Sequence, residues 1–139
     1  MVFQDYSLFP WLTVLKNIEF RPDITGMRAS ARRERAMHYL DLVNLGQIAD
    51  RYPTELSGGM KQRVAIARAL AAGPKVLLMD EPFAALDAMT RGKLQFELLR
   101  IHELERPTIL FVTHNIDEAI RRADRVLVMS PTRAASCLT

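Results

Sequence analysis

Long apolar runs, cysteine pairs, repeats and a strong excess of one charge are all missing from this sequence. No stretch reaches the roughly 18 apolar residues that a membrane-crossing helix needs. The opening MVFQDYSLFPW has neither the basic start nor the long apolar centre of a secretory signal. Cys137 is the only cysteine, so an internal disulfide is excluded and a reducing compartment fits. The net charge of +3 is compatible with an anionic ligand but is far from a nucleic-acid-binding tail. No internal repeat and no low-complexity segment is found. What remains is ordinary globular chain: 139 residues, 49% hydrophobic and 25% charged, too apolar for disorder. That is one domain's worth of chain or less, able to hide roughly two-thirds of its unfolded surface.

Residues 1–30 read as irregular, since Asp5, Ser7, Pro10, Pro22 and Gly26 interrupt short apolar runs. Ala36, Met37, Leu40 and Val43 recur at helical spacing and predict a helix over 31–43, closed by Asn44 and Gly46. A second helix is predicted from about 58 to 72, stopped by Gly73 and Pro74. KVLLMD then reads as a buried strand, a continuous apolar run ending in an acid. A long helix over about 88–104 ends before Pro107. TILFVT is a second buried strand, IDEAIRRA a helix and RVLVM a third strand. Strands alternating with helices predict an α/β fold with parallel strands and crossover helices.

In a parallel sheet, ligands bind beyond the carboxyl ends of the strands. One predicted strand ends in Asp80 and Glu81, the other in Thr113 and His114. Two adjacent carboxylates after a buried strand suit a metal–phosphate site, one holding hydrated magnesium and the other orienting or deprotonating water. The alternatives are a turn cap before Pro82 and a purely structural histidine. Upstream, PTELSGGMKQRVAIARAL places Ser57, Gly58 and Gly59 at the mouth of a helix. Ser57 is a good N-cap, which Gln62 or nearby groups could support. A cap does not require two glycines. Bare backbone N–H groups at the positive end of a helix dipole do suit an anion. The alternative is a capped loop with flexible glycines.

Together these residues resemble the nucleotide-binding subunits of ATP-binding cassette (ABC) transporters. LSGGMKQRVAIARAL resembles the signature motif, VLLMDEP the Walker B strand with its glutamate, and Ala84–Asp87 (AALD) the D-loop. His114 in VTH matches the switch histidine, and Gln4 in VFQDYSLFP matches the Q-loop glutamine. All five occur in the family's order over residues 1–131. The stretch FQDYSLFPWLTVLKNI further resembles the nitrate, sulfonate and taurine importer branch. The resemblance implies a parallel-sheet, P-loop-NTPase-like core with a helical subdomain over about 10–70, and an atypical tail over 132–139. It implies ATP and Mg2+ as cofactors. Asp80 would hold magnesium through water, with Gln4 sensing magnesium and water; Glu81 would be the general base and His114 would contact the γ-phosphate. Ser57, Gly58, Gly59 and Gln62 would bind ATP held by the other subunit of a dimer, and Asp87 would couple the two sites. Permease subunits would be contacted near Gln4–Trp11, and a periplasmic or extracellular solute-binding protein indirectly. The chain would then sit on the cytoplasmic face of the membrane. Local packing is the alternative role for Phe9 and Trp11.

The sequence departs from the family in two places. It holds no G-x-x-x-x-G-K-[ST] loop, which cradles phosphates in the family and supplies a lysine and a magnesium ligand. After VLVMSP, the segment TRAASCLT lacks the family's usual basic, glycine-containing turn. The expectation is an N-terminally truncated fragment that by itself binds ATP weakly or not at all. Two other readings stand beside the importer subunit. A non-catalytic interaction module or decayed fragment fits the missing loop. A soluble ABC-type ATPase acting on nucleic acid would lean on Arg28, Arg32, Arg33 and Arg35. Those four read better as a solvated helix face, and the coiled-coil insertions of such proteins are absent. No nucleic-acid partner is therefore expected.

Overall fold

The computed structural model describes residues 1–3, 5–129 and 136–138. Three helices come first: α1 (Val14–Ile24), α2 (Ala29–Leu42) and α3 (Gly58–Ala71). Two 3-10 turns, Gly46–Ile48 and Pro53–Glu55, lie between α2 and α3. Then follow β1 (Val76–Asp80), α4 (Ala88–Glu105), β2 (Thr108–Val112), α5 (Ile116–Arg122), β3 (Val126–Val128) and β4 (Ser136–Leu138). Helices α1, α2 and α3 pack on one another, and α3 also touches α4. The core joins both regions through Ile18, Leu40, Ile66, Leu77, Met79 and Phe83.

Helix α1 corrects the expectation of irregular chain over 1–30. Thr13 caps it by accepting from the Lys16 N–H. Val14, Leu15, Ile18 and Pro22 form its buried stripe. Pro22 has no N–H to give to the preceding turn, but it sits in the last turn, where little helix remains to break. The chain then reverses at Gly26 (φ +76), whose N–H donates to the Asp23 carbonyl while that of Met27 donates to Pro22. That paired closure satisfies two terminal carbonyls. Helix α2 closes the same way, with Asn44 (φ +57) in the left-handed position that most side chains avoid.

β1 and β2 pair in parallel, with Asp80 opposite Val112. Val2 bridges to Met79, its chain running parallel to β1. Leu77 and Met79 are buried, and Ile109 and Phe111 pack beside them on the same face. The other face is open, with Val76 54% and Leu110 51% exposed. The apolar runs thus do not mean burial on both sides. The third strand also differs from expectation, because β3 pairs antiparallel with β4 in a separate sheet. The link between Val128 and Ser136 is shorter than the dozen or so residues a parallel crossover needs. Among the described residues no helix is long and apolar enough to cross a membrane.

Candidate functional site

The parallel register brings the ends of β1 and β2 level, and this puts Glu81 beside His114 across 33 positions of sequence. Past Asp80 the Glu81 N–H still donates to the Val112 carbonyl at 2.9 Å, so the ladder extends one residue further. Glu81 itself has φ +43. A non-glycine residue there costs about 1–2 kcal/mol, and the kink turns its side chain out of the strand's alternation. His114 Nδ1 lies 2.8 Å from Glu81 Oε1. With its hydrogen on Nδ1 the imidazole donates to the carboxylate, and Nε2 is left facing outward for another group.

A second layer fixes the loop that carries His114. Thr113 Oγ1 donates to Glu118 Oε2 (3.0 Å) and accepts from the Asn115 N–H (3.0 Å). Asn115 caps α5 by accepting from the Glu118 N–H, and Gln95 Nε2 on α4 donates to Glu118 Oε1 at 2.9 Å. Glu81, Arg91, Thr113, His114 and Glu118 line a cleft of about 60 Å³. That admits a water or two and no nucleotide, for which several hundred Å³ are usual. The sequence reading missed Asn115, Glu118 and Gln95 as site residues. Asn115 and Glu118 have capping-box spacing in NIDE, which is a legible signal. Gln95 has none.

The second group gathers at the mouth of α3. Ser57 accepts from the Met60 N–H, as a cap should. The glycines have a further cause that the sequence does not show. A Cβ on Gly59 would stand 2.5 Å from the Thr90 methyl carbon, and one on Gly58 would stand 3.0 Å from the Tyr6 hydroxyl. The helix start therefore has to be bare for this chain's own packing, whatever anion it meets. Thr90 belongs to the first turn of α4, which Asp87 caps by accepting from the Thr90 N–H at 3.0 Å. That bond holds the Asp87 carboxyl below the usual carboxylate range. Gln62 does not support the Ser57 cap. Its amide is fully buried, with neither atom hydrogen-bonded among the described residues, and so faces the interior rather than a docking surface.

This packing gives an expected result. Gly59→Ala should destabilise the fold by about 1 kcal/mol through overpacking against Thr90. In a Thr90→Ser background, which removes the clashing methyl, the same substitution should stabilise it, because alanine is the better helix former. Urea unfolding of the four proteins of this cycle reads the change of sign. Equal effects in both backgrounds would show that Thr90 is not the neighbour that matters.

The third region is the loop before α1. Asn17 is fully buried and tied to this loop four times: Oδ1 accepts from the Phe9 N–H, and Nδ2 faces the carbonyls of Phe9, Leu12 and Thr13. Phe9 packs its ring on Phe20 at 4.6 Å and on Trp11 at 5.6 Å. Trp11 stays 70% exposed. Asp5, Tyr6, Leu8, Pro53 and Lys61 border an open groove of about 200 Å³ beside it. Gln4 lies outside the described residues. Of the sequence-predicted residues, then, Asp80, Glu81 and His114 share the strand-end group. Ser57, Gly58, Gly59 and Asp87 share the helix-mouth group.

The donor set can be tested against magnesium. Among the described residues no three histidine, cysteine or acidic side chains stand close enough to hold a metal ion. Magnesium keeps several waters and takes one or two carboxylates plus phosphate oxygens. The single carboxylate of Asp80 at a strand end, with Glu81 engaged by His114, fits that sharing and does not fit a metal cage.

Fold and site together define an α/β protein with a carboxylate–histidine cluster at the carboxyl ends of a parallel sheet and, as a separate group, a helix that opens on glycine. The chain belongs to the ABC transporter family, whose family model matches residues 1–84. It is 52% identical over 130 residues to the nitrate import ATP-binding protein NrtD of Synechocystis sp. (strain ATCC 27184 / PCC 6803 / Kazusa), covering 94% of this chain and 49% of that protein. It is 53% identical over 132 residues to the bicarbonate transport ATP-binding protein CmpC of the same organism, covering 94% of this chain and 20% of that protein. Among solved structures it matches the ATP-binding cassette MJ0796 in a dimeric, post-hydrolysis state bound to ADP and Pi. The TM-score is 0.74 and the identity 41%, covering 91% of this chain and 56% of that one. The chain thus spans about half, or less, of the length of the curated relatives it matches.

Proposed function

We propose that the chain is part of the ATP-binding, ATP-hydrolysing subunit of an ABC import system for a small anion such as nitrate or bicarbonate. The observation that carries this is the 2.8 Å contact between Glu81 and His114 at the strand ends, in a chain of this family. Glu81 accepts a proton from the attacking water, and the contact with His114 aims its carboxylate. The outward Nε2 of His114 reaches the γ-phosphate. Asp80 and Gln4 would hold magnesium, in part through water, and the ion would supply positive charge to the phosphates. Ser57, Gly58 and Gly59 meet ATP held on a second subunit, with Asp87 at the seam between the two. Residues 1–131 form part of a nucleotide-binding domain in which about 10–70 are the helical subdomain. The exposed Trp11 and the groove beside it face permease subunits at the cytoplasmic side of the membrane, and a solute-binding protein acts through them. The dimeric neighbour bound to ADP and Pi and the relatives named as nitrate import and bicarbonate transport ATP-binding proteins support this reading.

The test is affinity purification of the tagged protein from membranes of its own source in Mg-ATP. The expected result is recovery of a multi-span permease and a second ATP-binding subunit, with ATP turnover that rises when the loaded solute-binding protein is added. A chain recovered without these partners, or turnover indifferent to solute, refutes the reading.

A further inference from the structure

Arg68, on the helix that opens at Ser57, has no part in the strand-end chemistry, yet it reaches back to the loop before α1. Its Nη1 donates to the Ser7 carbonyl at 2.7 Å and its Nη2 to the Tyr6 carbonyl at 3.1 Å. Tyr6 (φ +62) and Ser7 (φ +46) are consecutive non-glycine residues in the left-handed region. Such a pair is intrinsically unfavourable and persists only where its surroundings hold it. The guanidinium also lies 5.7 Å from the centre of the Phe9 ring, within cation–π range. Burial pushes its pKa down from the ordinary arginine value. The group nevertheless stays charged, and a partly desolvated cation needs acceptors that are fixed in place. A planar fork supplies two donors at set spacing, which a lysine ammonium does not. The loop meets α3 a second time at its start, where the Tyr6 hydroxyl approaches Gly58.

We propose that Arg68 is a positioning residue that locks the Tyr6–Ser7 turn to α3, so that the Phe9–Trp11 surface and the Ser57–Gly59 helix mouth move as one body. The assignment of that surface to a permease rests on the function proposed above; the lock does not. A displacement at the mouth of α3 then carries the turn with it through Tyr6 and Arg68.

The test is NMR of the full chain as wild type, Arg68→Lys and Arg68→Met, the last keeping an apolar stem for packing. In Arg68→Met the backbone shifts of Tyr6 and Ser7 should lose their left-handed signature. The Ser7 amide should exchange at least about tenfold faster, while the Phe9 amide, held independently by Asn17, stays within about twofold. Arg68→Lys should fall between. Unchanged shifts and exchange at Tyr6 and Ser7 would overturn the proposal. So would equal acceleration of Ser7, Phe9 and the interior of α3, since the arginine would then be only a general stabiliser. No nucleotide or partner enters the measurement, so its failure is distinct from failure of the importer assignment.

Discussion

Glu81→Gln is expected to lower ATP turnover by about 100- to 10,000-fold, the range that a positioned general base supplies, while leaving nucleotide affinity nearly unchanged. Glutamine has the shape of glutamate and keeps an amide oxygen that can accept from His114 Nδ1, so the 2.8 Å contact can survive. What it loses is the capacity to take a proton. A fall in kcat with KM held therefore isolates proton transfer from binding. His114→Ala is the complementary case. It removes the contact that aims the carboxylate and also the outward nitrogen, so both kcat and KM should suffer. The comparison is to be made on the assembled transporter in Mg-ATP, since this sequence holds no phosphate-cradling loop and is expected to bind ATP weakly by itself, and is read by phosphate release and by equilibrium nucleotide binding. Turnover in Glu81→Gln within about threefold of wild type would remove Glu81 from the role of base.

The meeting of Glu81 and His114 at the strand ends was legible because it rests on regular elements. VLLMD and TILFV are apolar runs of equal length, and the observed parallel register ends them side by side. That register brings Glu81 and His114 together although they are 33 residues apart. The helices from Ala29 onward were legible for similar reasons, with caps and stops falling within two residues of expectation. Helix α1 was not, because its buried stripe is interleaved with Asn17 and Glu19 and ends on a proline, Pro22. An asparagine or a glutamate in a helix reads as solvent-facing until its partners are seen, and here Lys16 sits 2.8 Å from Glu19. The same limit hid Arg68. Its acceptors are backbone carbonyls more than 60 residues away, in a turn whose handedness no side chain announces. The open face of β2 was also unreadable, since an apolar residue states a preference for burial and not whether a neighbouring layer meets it.

Asn17→Ala is expected to destabilise the fold by about 3 kcal/mol, well beyond the effect of Gly59→Ala. The side chain is fully buried, and every polar atom it has is spent on the loop it holds. Each such hydrogen bond contributes a net ~1 kcal/mol, and the stranded Phe9 N–H adds about 1–3 kcal/mol if nothing replaces its acceptor. The two amide hydrogens are shared among three carbonyls, so the four contacts do not simply add. Asn17→Asp separates the two halves of the network. The carboxylate still accepts from the Phe9 N–H at 2.8 Å, but it presents negative oxygen to carbonyls that lie 3.0–3.1 Å from the present amide nitrogen. It should therefore destabilise at least as much as alanine at neutral pH, and less in acid, where the protonated group can donate once. Urea unfolding at unchanged slope measures both. A loss below about 1 kcal/mol for Asn17→Ala would mean that the loop is held without this asparagine. In that case the rings of Phe9 and Phe20, packed 4.6 Å apart, would have to carry the loop on their own.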